Sequence, residues 1–231
     1  IKRDNRVTDI NIAYIGGGSM GWAWGLMSDL AAEEQLSGTV RLYDIDADAA
    51  KRNEKIGQLL QTHDGVKSHW EYKAAGSLQE ALSGADFVVI SILPATFDEM
   101  EVDVHMPEKY GIYQSVGDTV GPGGLVRALR TIPMFVEIAE AIKKWSPQAW
   151  VINFVNPTTV MGMALRRYVP DVKSFALCDG HHEPYNTLNW CRRAGLLPQD
   201  ATAVPPAMLT RLELAIGGVN HFTWLVRFGY D

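Results

Sequence analysis

The chain has 231 residues, 47% hydrophobic and 21% charged, an ordinary globular composition that fills one large domain or two small ones. Its formal net charge of -6 argues against nucleic acid or an anionic membrane as the main partner, because both reward clustered Lys and Arg. No run approaches the ~20 apolar residues of a membrane span, the start Ile1-Lys2-Arg3-Asp4-Asn5 lacks a signal peptide's apolar stretch, and two cysteines are too few for a disulfide framework, so a cytoplasmic protein acting on a small molecule is expected.

In chain order, Asn11–Ile15 reads as a buried strand ending in three glycines, and Val40–Tyr43 as a second ending in Asp44-Ile45-Asp46. Between them Ser19–Glu34 lacks proline and sets Trp22, Leu26 and Leu30 at helical spacing. A helix over Ala47–Gln61, a strand over Trp70–Lys73, a short helix over Leu78–Leu82 and a strand over Asp86–Ile92, stopped by Pro94, continue the alternation. Such alternation predicts a doubly wound α/β fold of Rossmann type, with a mostly parallel sheet and right-handed crossovers. Asp98–Tyr110 is acidic and helical in pattern. Gly117–Gly124 is too rich in glycine for a regular element, and Leu125–Lys144 follows as a long helix bent at Pro133. The strand Trp150–Val155 leads into an Asn156-Pro157 turn, and Lys173–Leu177 closes on Cys178. Leu197–Pro206 is loop-like, while Leu212–Ile216 and Phe222–Phe228 are strands of a second, mixed layer. The expected division is a Rossmann domain over 1–177 and the beginning of a second, α+β domain over 178–231.

Gly16-x-Gly18-x-x-Gly21 directly follows a predicted strand and opens a predicted helix, the context this otherwise weak motif needs. Gly16 permits the tight turn, Gly18 lets the backbone approach a pyrophosphate, and Gly21 allows close packing of helix on strand. Ser19 and Met20 complete the loop, whose helix offers unpaired N–H groups to phosphate. Asp44 ends the second strand, where a carboxylate accepts from the adenosine ribose hydroxyls and repels a 2′-phosphate; NAD is therefore expected over NADP. Asp46 is either a second ribose ligand or the cap of the helix beginning near Ala47. Ile92 and Pro94 border the cofactor groove, since ligands lie beyond the carboxyl ends of parallel strands.

Asn153 and Asn156 put two amides on that same edge. Cys178 follows the last strand and His221 lies in an apolar setting; a thiolate and an imidazole form a soft half-site for a divalent transition metal, although a buried cysteine is more often a small hydrophobe. Arg127 and Arg130 either bind an anionic sugar group or face solvent. His181 and His182 read as pocket-rim or solvated residues.

The stretches IAYIGGGSMGWA, LYDID, ISILP, HMPEKYGIYQSVGDTVGPGGLVRALRTIP, INFVNP, ALCD and GVNHFTW together resemble glycoside hydrolase family 4, whose cofactor domain is similar to lactate and malate dehydrogenases. The resemblance implies hydrolysis that depends on NAD and a divalent metal, usually manganese (Mn2+), an exception to the two-carboxylate mechanism of most glycosidases. In that chemistry hydride leaves C3 of the sugar, the C2 proton becomes acidic, the C1 leaving group is eliminated, water adds, and the hydride returns. Cys178 and His221 resemble the metal-binding pair, Asn156 the amide that holds the sugar hydroxyls, and Asp179 the general acid of some α-specific members or an outer-shell partner of the metal. Asp118 would contact substrate or water, or stabilise its own turn. The run from Ser91 through Pro133 looks most like the α-galacturonidase branch. Family members resemble longer two-domain proteins that form dimers or tetramers, so a truncated chain of a homo-oligomer is expected; the family's tyrosine base lies well past the metal histidine, and Tyr230 is too close to match it. Two other classes compete: an NAD-dependent hydroxyacid dehydrogenase, which needs neither Cys178 nor His221, and a non-catalytic NAD-binding relative.

Overall fold

The computed structural model describes residues 2–3, 6–114, 118–178, 184–219 and 222–231. A two-residue strand β1 (Lys2–Arg3) runs antiparallel to β2 (Arg6–Ile15), the central strand. β2 sends Ile12 and Tyr14 to one face of the sheet and Ala13 and Ile15 to the other, and all four are buried. A strand covered on both sides needs this near-continuous apolar run, because successive side chains point to opposite faces.

The chain continues through α1 (Trp22–Ala32), β3 (Leu36–Tyr43), α2 (Ala47–Leu60), β4 (Trp70–Ala74), α3 (Leu78–Leu82) and β5 (Phe87–Ile90). Then come α4 (Phe97–His105), a 3-10 turn over Met106–Tyr110, α5 (Gly121–Trp145), β6 (Trp150–Asn153), α6 (Thr158–Tyr168) and β7 (Lys173–Ala176). The parallel strands lie in the order β4-β3-β2-β5-β6-β7, the doubly wound order expected. One face packs Met27 and Leu30 of α1 and Ala50 of α2 against Ile12, Tyr14, Leu42 and Tyr72. The other packs Phe135, Ile138 and Ile142 of α5 and Met161 and Leu165 of α6 against Ile15, Val88, Ile90 and Val151.

Several expectations need correction. α1 starts at Trp22 rather than Ser19, and its inner stripe is Ala23, Met27, Leu30 and Ala31; Trp22 is 57% exposed. Ala23 and Ala31 on that stripe let the helix lie close to the sheet, which a tryptophan would prevent. The end of the glycine-rich stretch is regular after all. Gly121–Gly124 form the first turn of α5, where N–H groups have no intrahelical partner and Pro122 has the right φ in advance. Pro133 sits inside the continuous α5. The helix α6 was not foreseen.

The chain divides into two compact units, residues 1–177 and 178–231. The second contains α7 (Pro184–Arg193), α8 (Pro206–Leu209) and the antiparallel pair β8 (Leu212–Val219) and β9 (Phe222–Tyr230), with the Arg211 guanidinium 4.5 Å above the Tyr230 ring. No helix among the described residues is long and apolar enough to cross a membrane.

Two core phenols give a stability prediction. Burial pushes Tyr14 and Tyr72 from 10.0 up to about 12, against a small opposing effect of the Ser91 hydrogen bond at Tyr14. The folded state thus favours the neutral phenol, so this contribution is fully present below pH 10 and is lost as pH rises toward 12. The urea midpoint should fall steeply across that window, and less steeply in a Tyr14→Phe/Tyr72→Phe variant. Equal alkaline sensitivity in the two proteins would contradict the assignment.

Candidate functional site

β2 and β5 stay paired to their carboxyl ends, Ile15 opposite Ile90, and the chain leaves them toward opposite faces of the sheet, with α1 on one and α5 on the other; this is the topological switch point, where open α/β sheets form their ligand crevice. The glycine loop fills that position. Gly16 has φ +94°, and a Cβ there would lie 2.7 Å from the main-chain carbonyl carbon of Ser91. A Cβ on Gly18 would lie 2.6 Å from the Ala49 Cβ and 2.8 Å from Asp44 Oδ2. Both positions therefore require glycine. Gly21 does not: a Cβ there meets nothing within 4 Å, so its expected role in close helix–strand packing is corrected.

Asp44 faces the loop. Its Oδ2 accepts from the Gly18 N–H at 2.9 Å and its Oδ1 from the Asp46 N–H at 3.0 Å, leaving each oxygen a further lone pair. Asp46 is the helix cap, accepting from the N–H groups of Asp48 and Ala49. The Ser19 hydroxyl accepts from the Trp22 N–H at 3.1 Å, and the exposed Met20 completes the turn. Beneath the loop lies a residue that sequence reasoning missed. Asn53, only 2% exposed, donates to the carbonyls of Gly17 and Ser19 at 2.7 and 2.9 Å and accepts from Trp24 Nε1 at 2.7 Å. Pro94 is buried and Ile92 packs partly against the core, after a strand that ends at Ile90.

Asn153 is fully buried; its amide is spent on the main chain of Val155, accepting from the N–H at 2.9 Å and donating to the carbonyl at 3.3 Å. It fixes the end of β6. Asn156, just beyond, donates to Asp118 Oδ2 at 3.1 Å and accepts from the Thr158 hydroxyl at 2.8 Å. The structure thus joins Asp118 and Asn156, which are far apart in sequence. Arg127 does not face solvent. It is 8% exposed, with Nη2 3.9 Å from the Asp118 carboxylate, which is itself 7% exposed. Burial lowers the Arg127 pKa more than the Asp118 charge raises it, and Asp118 Oδ1 and Arg127 Nε lack hydrogen-bond partners. Arg130 is held by Asp103 in a two-point ion pair at 2.8 and 3.1 Å.

Cys178 is exposed, whereas Cys191 is buried and its pKa is raised by that burial. Asp179, His181, His182, His221 and Gly117 lie outside the described residues. Among the described residues no three His, Cys, Asp or Glu side chains gather to hold a metal ion.

The chain resembles known proteins over most of its length. The sequence model described as Family 4 glycosyl hydrolase matches residues 11–189. The alpha-galacturonidase of Thermoanaerobacterium saccharolyticum is 58% identical over 222 residues, which are 96% of this chain and 46% of that protein. The crystal structure of lplD from Bacillus subtilis superposes with a TM-score of 0.76 at 46% identity, covering 97% of this chain and 49% of that one. The 6-phospho-beta glucosidase of Thermotoga maritima, solved with manganese, NAD+ and glucose-6-phosphate, gives a TM-score of 0.68 at 25% identity, over 93% and 48% of the two chains. The chain spans about half the length of the curated relatives it matches.

Proposed function

The chain belongs to glycosyl hydrolase family 4, and from that premise we propose that the protein is an NAD- and manganese-dependent α-galacturonidase. The observation that carries the reading is the cradle at the switch point, built in a chain whose relatives at 49–58% identity are named alpha-galacturonidases, while those at 27–30% have other glycosidase names. The cradle fits a dinucleotide. Gly16 and Gly18 leave room where any side chain would intrude, and the Asp44 carboxylate keeps lone pairs for ribose hydroxyls while disfavouring a 2′-phosphate.

In this reading Met20 presents its main-chain N–H, and α1 its first turn, to the diphosphate, while Gly16, Gly18 and Ser19, whose N–H groups go to Tyr43, Asp44 and Gly16, set the course of the loop. Ile92 and Pro94 form one wall, and Asn153 holds the strand end beside it. Asn156 binds the sugar hydroxyls, with its amide oriented by Asp118 and Thr158. The exposed Cys178 thiol is a suitable soft donor for a divalent ion; His221 as its partner ligand and Asp179 as the acid rest on the family motif. When bound, NAD supplies a hydride acceptor and manganese a Lewis acid. The reading also takes the protein to be a cytoplasmic homo-oligomer, a dimer or tetramer; the exposed Phe97 and Val102 of α4 and Leu125 and Leu129 of α5 support an association surface.

The test is hydrolysis of an aryl α-galacturonide by the full-length protein. Sugar should be released only when NAD and manganese are both present, with no net NADH, because the hydride returns in each cycle. Cleavage without either would end the proposal. Stoichiometric NADH would favour a dehydrogenase.

A further inference from the structure

We propose that Asn53, on α2, is a positioning residue for the diphosphate of the dinucleotide, an inference that rests on NAD being the ligand of the glycine loop. A buried asparagine can donate twice and accept, and Asn53 does so: two N–H groups go to the Gly17 and Ser19 carbonyls and its oxygen takes the Trp24 indole N–H. None of these partners is near it in sequence. An aspartate could not replace it, because a carboxylate would face two carbonyl oxygens with no proton to offer.

The consequence lies in the orientation of two peptide planes. Both are trans, so the carbonyl and N–H of each unit point in opposite directions. Anchoring the Gly17 carbonyl turns the Gly18 N–H away from α2 and onto the Asp44 carboxylate. One plane is thus clamped at both ends, by Asn53 and by the ribose-binding acid. Anchoring the Ser19 carbonyl likewise turns the Met20 N–H away from Asn53, on a residue whose side chain is 67% exposed. That N–H is free to meet a phosphate oxygen. Asn53 touches no ligand itself; it sets the donor direction beforehand, so the loop loses little freedom on binding.

The experiment compares the parent protein with Asn53→Ala and Trp24→Phe by calorimetry and ligand-observed NMR, using NAD, ADP-ribose and adenosine. In Asn53→Ala the Kd for NAD and ADP-ribose should rise about tenfold or more, roughly 1.4 kcal/mol per tenfold, while adenosine changes less than about twofold. Trp24→Phe removes only the bond that orients the amide, and a rise of about threefold is expected. If all three ligands weaken equally, Asn53 merely stabilises the fold and the positioning role is wrong. NAD affinity within twofold of the parent in a folded variant also overturns it. Should Asn53→Ala not fold, Asn53→Ser keeps one donor and should show the same selective loss at smaller size; its absence there has the same meaning. A parent protein that binds none of the three ligands overturns the NAD reading itself, an outcome distinct from the others.

Discussion

Gly16→Ala is expected to abolish the thermal stabilisation that NAD confers and to lower the stability of the free protein by about 3 kcal/mol. Two costs combine. A residue with a Cβ at φ +94° occupies the left-handed side of φ space, worth roughly 1–2 kcal/mol by itself. The added carbon also collides with the main-chain carbonyl of Ser91, a residue tied to the end of β2 through its N–H, and that carbonyl cannot rotate away as a side chain would. Relief requires the loop to part from β5, and the cradle opens with it. Gly21→Ala is the control, since its φ of -91° suits alanine and the site is open. It should change stability by less than about 0.5 kcal/mol and leave NAD binding intact. Urea denaturation and NAD titration of both variants check this contrast; a Gly16→Ala protein as stable and as NAD-responsive as Gly21→Ala would refute the assignment of the loop.

Asp118→Ala is expected to cost about 3 kcal/mol, out of proportion to a contact 3.9 Å long. The reason is what it leaves behind. Arg127 is a buried guanidinium whose desolvation already outweighs its attraction to Asp118, and removing that carboxylate leaves it only the weaker attraction of Asp103, which already pairs with Arg130. Replacing both partners avoids that penalty, so Asp118→Leu/Arg127→Met should recover most of the loss. A double-mutant cycle reads the coupling directly; additive effects, with an interaction under about 0.5 kcal/mol, would show that the two side chains act independently. The same substitution removes the Asp118 carboxylate as acceptor of the Asn156 side-chain N–H, while the Thr158 bond to that amide stays. Loss of sugar affinity beyond the loss of stability is the sign that this amide serves the substrate.

The strand–helix alternation, the glycine spacing and the Asp46 cap were legible in the residues because each is a local pattern. A strand buried on both faces must be apolar throughout, and a turn that meets a neighbouring strand must lack a Cβ. The roles proposed for Asn156 and Cys178, and the proposed substrate class, rest on the family motifs rather than on such local patterns. Elsewhere local pattern misled: Trp22 and Ala23 are equally compatible with a helical stripe, and only the closeness of α1 to the sheet buries the smaller one. Arg127 and Arg130 on α5 looked like solvent or substrate cations, yet the fold turns them onto Asp118 and Asp103, each carboxylate supplied from another segment. Asn53 carried no signal, since its partners lie 29 to 36 residues away and nothing in α2 announces them. Sequence determined most of the elements, though not α6, and the place of the glycine cradle. The tertiary structure alone decided which polar side chains are spent on holding that site, because a hydrogen bond depends on distance and direction, and neither is fixed until distant segments meet.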